Sequence, residues 1–160
     1  NMKFKDISNL ISEKFERIES NLKEEYLTIQ NKNWLNIASF LKNNKDLKFN
    51  FLSCLSSIDG KDEGFYVAYN FSSITYKHSL EVRVFTDKDM KIASVSNLWK
   101  TANWHEREAY DLMGIVFEGH PDMRRIFLPS DWEGHPLQKK YKEPDYYHGI
   151  PVPKDKSEWE

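Results

Sequence analysis

Apolar residues recur at steps of three and four at the start of the chain: Phe4, Ile7, Ile11, Phe15, Ile18 and Leu22, with charged residues between them. That spacing predicts one amphipathic helix over residues 4–22. Glu13, Glu16, Glu19, Glu24 and Glu25 along the same stretch would be repelled by anionic lipid, so the apolar face is assigned to a protein core and not to a membrane surface. A short strand is expected at 26–29. Trp34, Ile37, Ala38 and Leu41 then predict a second, shorter helix, with Asn33 available as its N-cap.

The period changes from 3.6 to 2 in the middle of the chain. Residues 51–58 are apolar and serine-rich and end at the turn Asp59-Gly60, and 65–71 are rich in aromatics and valine. Leu80, Val82 and Val84 alternate with Glu81 and Arg83, the mark of a half-solvated strand, before a turn at Asp87-Lys88-Asp89. Three to four consecutive strands without helices between them imply an antiparallel sheet covered on one face by helices, an α+β fold. A third helix is expected to start after Ser94 or Ser96, with Leu98, Trp99, Ala102, Ala109, Leu112 and Met113 on its apolar side. Gly114 stands where a left-handed C-cap belongs, and Ile115-Val116-Phe117 reads as a short strand.

All six prolines lie beyond residue 120, at positions 121, 129, 136, 144, 151 and 153. They divide the chain into a compact α+β domain, 1–120, and an extended tail, 121–160, that cannot continue helices or central strands. The tail also carries Phe127, Trp132, Tyr141, Tyr146, Tyr147 and Trp159. Ordering such a segment costs on the order of 40–80 kcal/mol in backbone entropy. Disordered tails are poor in aromatics, whereas Tyr and Trp anchor interfaces, so this tail is expected to gain its order from a partner surface. Fully extended it would reach roughly 120–140 Å.

Composition narrows the function classes. The formal net charge of −2 is spread along the chain without a basic face, which argues against nucleic acid as a partner. No apolar run approaches the roughly 18 residues that span a bilayer, and no secretory signal is visible, so the chain is not expected to cross a membrane by itself. Asn1 precedes Met2, which reads as the natural start, and the 160-residue length suggests a stand-alone chain. The one cysteine, Cys54, reads as a small buried hydrophobe; it excludes an internal disulfide, and an iron–sulfur cluster needs about four thiolates.

The charged residues from Trp104 onward carry the most information. On a helix Glu106 and Tyr110 share a face, and Arg107 and Asp111 are spaced to pair directly, while Glu108 points elsewhere. A small repeat follows: Glu118-Gly119-His120-Pro121 recurs as Glu133-Gly134-His135-Pro136. Each copy leads to two cations, Arg124-Arg125 and Lys139-Lys140, and then to a bulky residue, Ile126 or Tyr141. Two similar turns are expected, with the cations free to pair with acids on a partner or to bind an anion. His105, His120 and His135 lie at equal spacing near Glu106 and Asp111, which raises a rival reading as a metal-dependent hydrolase, although no two are close enough to ligate from one helix turn. His78 and His148 read as ordinary surface or strand residues.

In this segment the chain resembles the thirty-kilodalton subunit family of complex I. The family signature runs Glu-Arg-Glu, an acid, two apolar residues, a His, an Arg and an aliphatic at fixed spacing. It is met here by Glu106-Arg107-Glu108, Asp111, Leu112-Met113, His120, Arg124 and Ile126 without gaps. The likeness runs from about Val95 to Leu137, with Ser57-Ile58-Asp59 and the strands matching more loosely. Where the family continues Pro-Leu-Arg-Lys-Asp, this chain has Pro136-Leu137-Gln138-Lys139-Lys140, which puts the family's local ion pairs in doubt. The resemblance implies a non-catalytic scaffold subunit in the peripheral arm of a proton-translocating NADH:quinone oxidoreductase, on the cytoplasmic side of the inner membrane, or the homologous subunit of a membrane-bound hydrogenase-type complex. FMN, iron–sulfur clusters and quinone would be held by partner subunits, and this chain would hold no cofactor or metal. Its neighbours would be the large quinone-site subunit and the iron–sulfur subunits. The implied interface residues are Glu106, Arg107, Glu108, Asp111, His120, Pro121, Arg124, Arg125, Trp132, Gly134, His135 and Pro136.

Overall fold

The computed structural model describes residues 2–152. Helix α1 (Phe4–Ser12) is shorter than the periodicity predicts. After it the chain turns through Arg17, whose φ of 61° no helix can hold, and enters strand β1 (Ile18–Asn21). Ile18 and Leu22 therefore belong to a hairpin and not to the first helix, and Leu22 is 60% exposed at its tip. Asn21 closes the hairpin by accepting the N–H groups of Lys23 and Glu24 on Oδ1, an Asx turn that competes with helix.

Strand β2 (Tyr26–Gln30) runs directly into helix α2 (Asn31–Asn43). Trp34, Ile37, Ala38 and Leu41 are buried on its inner face, as their spacing predicts, each large side chain stabilising the core by roughly 2 kcal/mol. The cap is Gln30 in extended conformation, not Asn33, which lies inside the first turn. The preceding Asn31 instead spans to a later segment of the chain, accepting the N–H of Ala93 and donating to the carbonyl of Lys91.

The crossover through α2 brings the chain to an antiparallel meander of β3 (Phe51–Asp59), β4 (Phe65–Ser73) and β5 (His78–Phe85). Strand β2 then pairs in parallel with β5, giving one five-stranded sheet in the order β1-β2-β5-β4-β3. The sheet is thus mixed and wider than the three to four antiparallel strands expected from the pattern; a parallel pair needs only the long crossover that α2 supplies. The core is aromatic: Trp34 lies 4.5 Å from Tyr69, and Trp99 lies 4.6 Å from Phe71 while donating its indole N–H to the carbonyl of Phe49. His78 is buried in β5 with Nε2 2.7 Å from the carbonyl of Leu47. Cys54 is only half-buried, because the register of β3 on β4 shifts between Leu52 and Cys54 and the bulge breaks the alternation that would turn it inward.

Beyond the meander, β6 (Lys91–Ala93) pairs in parallel with β7 (Val116–Glu118), and helix α3 (Ala102–Met113) connects them and packs on β3. Helix α3 begins at Ala102, later than the serines suggest, because Ser94 and Ser96 are turned toward the helix as hydrogen-bond partners. Gly114 is left-handed, φ 83°, and donates its N–H to the carbonyl of Tyr110 as the C-cap the sequence predicts. Beyond β7 the chain is mostly irregular, ending in a two-residue hairpin of β8 (Tyr146–Tyr147) and β9 (Ile150–Pro151).

Candidate functional site

Helix α3 carries three charged residues that are buried: Glu106, Arg107 and Asp111. Burying an ion is strongly unfavourable unless it is paired and hydrogen-bonded, so each asks for a partner. For Arg107 and Asp111 the partners come from the chain that follows β7, and for Glu106 from the segment ahead of the helix.

Asp111 accepts the backbone N–H groups of Ile126, Phe127 and Leu128 on Oδ2, at 2.8, 2.7 and 3.1 Å. Its Oδ1 accepts Arg125 Nη1 at 2.9 Å. Burial by itself raises this carboxyl's pKa; the three N–H groups and the guanidinium more than offset it and hold the group below the usual carboxylate value. The pair expected between Arg107 and Asp111 does not form. The i,i+4 spacing is right, but Asp111 is satisfied by the tail, and Arg107 turns the other way. Its guanidinium lies over the ring of Trp104, donates from Nε to the carbonyl of Arg124, and stands 3.9 Å from Asp122.

Arg125 is the connecting side chain. Nη1 also donates to the carbonyl of Asp111, and Nη2 donates to the carbonyls of Trp132 and Gly134. The second Gly-His turn is thereby fastened to the end of α3. Each of the last four carbonyls of the helix finds a donor: Gly114 N–H for Tyr110, Arg125 and His135 Nδ1–H for Asp111, Leu137 N–H for Leu112, and Gln138 Nε2 for Met113. A helix end that water would otherwise solvate is capped by Gly114 and, at its last three carbonyls, by the tail. Gln138, where the family carries Arg, takes one of these positions. Gly114 also leaves room for His135, whose ring would lie 2.7 Å from an added Cβ.

The first Gly-His turn grips the other end of the same helix. His120 donates Nε2–H to the carbonyl of Asn103 at 3.1 Å and accepts the N–H of Asp122 on Nδ1 at 3.0 Å. Gly119 and Gly134 are both left-handed, at 84° and 81°, so the repeat does give two similar turns. They hold opposite ends of α3, however, and the two histidines use different ring nitrogens. Glu106 lies between them: Oε1 accepts Val95 N–H at 2.8 Å, Oε2 accepts the Ser94 hydroxyl at 2.6 Å, and His120 Nε2 is 4.0 Å away. Burial pushes its pKa up to about 7 against the pull of these two donors.

Of the remaining sequence candidates, Glu108 and Pro121 are exposed and Pro136 is half-buried. Arg124 is 72% exposed and forks only onto Asp122. Trp132 donates Nε1–H to the Tyr141 hydroxyl, and Tyr147 and His148 both bind Asp131, which ties the small hairpin back to the second turn. No group of three or more His, Cys, Asp or Glu among the described residues is placed to hold a metal ion, so the three evenly spaced histidines do not form the ligand set of a hydrolase. The sequence reading missed Ser94, Val95 and Ser96, which receive Glu106, and Asp59, which accepts the N–H of Lys139. A Ser-x-Ser pair just ahead of a charged helix was the available signal for the first group; nothing local announces the second.

Comparison with known proteins bears on the same residues. The sequence profile described as respiratory-chain NADH dehydrogenase, 30 Kd subunit, matches residues 27–147, which takes in most of the sheet from β2 onward, α3 and both turns. The chain belongs to this thirty-kilodalton subunit family. A protein from Chloroherpeton thalassium, named as a subunit of NADH-quinone oxidoreductase, is 50% identical over 111 residues, covering 68% of this chain and 46% of that protein. Its namesake from Chlorobium phaeobacteroides is 46% identical over 103 residues, covering 62% of each. The chain therefore matches about half to three-fifths of the length of these relatives. Among solved structures, a trypsin-resistant fragment of Nqo5 superposes with a TM-score of 0.61 at 30% identity, over 76% of this chain and 99% of the fragment. A chain of an archaeal respiratory membrane complex, the membrane-bound sulfane sulfur reductase, shares the fold with a TM-score of 0.70 at 21% identity, over 88% of this chain and 86% of that one.

Proposed function

We propose that this chain is a non-catalytic scaffold subunit in the peripheral arm of a proton-translocating NADH:quinone oxidoreductase. The observation that carries the reading is the way α3 uses its buried charge. Asp111, Arg125 and His135 serve to fasten residues 125–138 across the helix end; Phe127, 62% exposed, lies on that wedge, while Trp104, 63% exposed, lies at the start of the helix, with Arg107 set over its ring and bonded to the carbonyl of Arg124. Exposed aromatics beside an exposed arginine are the composition of an interface centre. Membership of the family, and relatives named as subunits of NADH-quinone oxidoreductase, supply the kind of assembly.

In this reading the wedge and the tail beyond it lie on the large quinone-site subunit and on iron–sulfur subunits, at the cytoplasmic side of the inner membrane. FMN, the clusters and quinone belong to those partners, and electrons pass through them. Among the described residues no helix is long and apolar enough to cross a bilayer. In this reading attachment to the membrane runs through the complex.

Affinity purification of the tagged chain from its native membranes, with mass spectrometry of what accompanies it, tests the proposal. Recovery of flavin, cluster and quinone-site subunits with NADH:quinone activity is expected. The fold shared with the archaeal sulfane sulfur reductase favours one second reading, a homologous subunit of a hydrogenase-type or related membrane complex. Recovery of nickel–iron hydrogenase-type subunits in place of flavin subunits would select it. A chain that emerges alone would overturn both.

A further inference from the structure

Glu106 is the one buried charge of α3 that the tail contacts leave unpaired. Among the described residues no Lys or Arg pairs with it. Its own helix neighbour Arg107 is turned to Trp104, Asp122 and the carbonyl of Arg124. The titratable groups that face it from elements packed against it are Tyr69, from β4, and His120, from the turn after β7. Burial, and then the Glu106 charge, raise the Tyr69 hydroxyl well above the usual phenol value, so it keeps its proton and offers no countercharge. The His120 side chain is fully buried, and the Asp122 N–H on Nδ1 places the ring proton on Nε2, 4.0 Å from Glu106 Oε2.

The hydroxyls beside the carboxyl suit both of its forms. Ser94 Oγ lies 2.6 Å from Glu106 Oε2 and 2.8 Å from Ser96 Oγ, and it accepts Ser96 N–H at 3.2 Å. A serine hydroxyl has one donor and two lone pairs. When Glu106 is ionised, Ser94 donates to Oε2 and accepts Ser96 O–H and Ser96 N–H. When Oε2 is protonated, it donates to Ser94, Ser94 swings its own proton to Ser96 Oγ, and Ser96 N–H stays where it was. Only hydrogens rotate; no heavy atom moves, and Ser94 keeps all its hydrogen-bonding capacity filled in each arrangement.

We propose that Glu106 is a proton-binding site within the folded domain: it exchanges one proton with solvent, the Ser94–Ser96 chain reverses direction to serve either form, and the charge is read by His120, which ties the first Gly-His turn to α3. Ionisation adds an attraction between Oε2 and His120 Nε2–H, 4.0 Å away, to that proton's bond with the carbonyl of Asn103, and tightens the turn; protonation removes it. The device lies outside the docking contacts of Asp111 and Arg125 and does not depend on which assembly the chain joins.

An infrared titration of the full chain, from about pH 5 to about pH 9, tests it. A protonated-carboxyl stretch is expected to persist far above the ordinary glutamate range, to vanish with a midpoint near 7, and to be missing in Glu106→Gln. Absence of the band, or loss of it at the ordinary value of 4.5, overturns the proposal. If Glu106→Gln fails to fold, Ser94→Ala keeps the carboxyl and removes the donor that serves its ionised form, so the midpoint should rise; an unmoved midpoint overturns the role of the hydroxyl chain. The ring resonances of His120 should shift with the same midpoint. Resonances that ignore it overturn the coupling to the turn.

Discussion

Asp111 and Glu106 share one helix and are both fully buried, yet their surroundings drive them in opposite directions. Asp111 gathers three N–H groups and a guanidinium, so its folded pKa falls below the unfolded one, and the stability it contributes is present above the unfolded value and lost as pH falls through the folded value. Glu106 has only neutral donors and is raised from 4.5 to about 7. The folded state therefore binds its proton more tightly, and the stability linked to that proton is present below 4.5 and lost as pH rises through about 7, an effect on the order of 3 kcal/mol. Urea unfolding at about pH 5 and about pH 8 should show lower stability at the higher pH, and Glu106→Gln should flatten the difference. The two adjacent arginines should separate as cleanly. Arg125→Ala strips the cation from Asp111 and the donors from three carbonyls, and should lower the unfolding free energy by about 3 kcal/mol in a denaturant titration. Arg124→Ala removes one exposed fork onto Asp122 and should lower it by less than about 1 kcal/mol.

At the scale of elements, α3 is held at its start by one Gly-His turn and at its end by the other, and Gly114 is the point where helix and second turn meet. Gly114→Ala must place a methyl against the His135 ring and hold a left-handed backbone, so it should destabilise by about 2 kcal/mol or more, read as a fall in melting temperature. Much of this architecture is legible in the chain. The positions of Trp34, Ile37, Ala38 and Leu41 give α2, the alternation through Leu80, Val82 and Val84 gives β5, and Gly114 gives the end of α3, because in each case a single local rule decides the outcome. The first helix is misjudged because Phe15 and Ile18 continue its spacing into a hairpin. The helix stops at Ser12, and the chain turns into β1 at Arg17, a residue that gives no turn signal but adopts positive φ where β1 pairs with β2. The parallel pairing of β2 with β5 leaves no trace in periodicity, since alternation marks which face of a strand is buried and not which strand lies beside it or in which direction. Among site residues, Glu106, Arg107, Asp111, His120, Arg125 and His135 are legible as a group, but their pairings are not. Asp111 turns to Arg125 and not to Arg107 because long-range contacts supply five donors between its carboxylate and carbonyl where the helix face supplied one.

For the whole molecule, the division at residue 120 marks a change of composition, while the hydrogen bonds of Arg125, His135, Leu137 and Gln138 fasten the first part of the tail to α3 of the same chain. Removing everything after residue 120 should expose the helix end and leave Asp111 unpaired, lowering the unfolding free energy by at least about 3 kcal/mol, whereas removal after Gln138 should leave thermal unfolding close to that of the intact chain. Trp104→Ala together with Phe127→Ala removes two exposed side chains, the first of which also covers Arg107, so the unfolding free energy should fall by only about 1 kcal/mol while recovery of the assembled complex falls strongly; normal recovery would place the interface elsewhere. The mixed sheet has a consequence of its own for how the chain is made. Synthesis delivers the N-terminal hairpin first, but β2 has no place to dock until β5, with which it pairs from Tyr26 opposite Glu81 to Gln30 opposite Phe85, has been translated and joined to β4. Strand pairings between sequence-distant segments are slow to form. The hairpin therefore cannot complete its place in the sheet until residues 78–85, more than fifty positions further on, have been made.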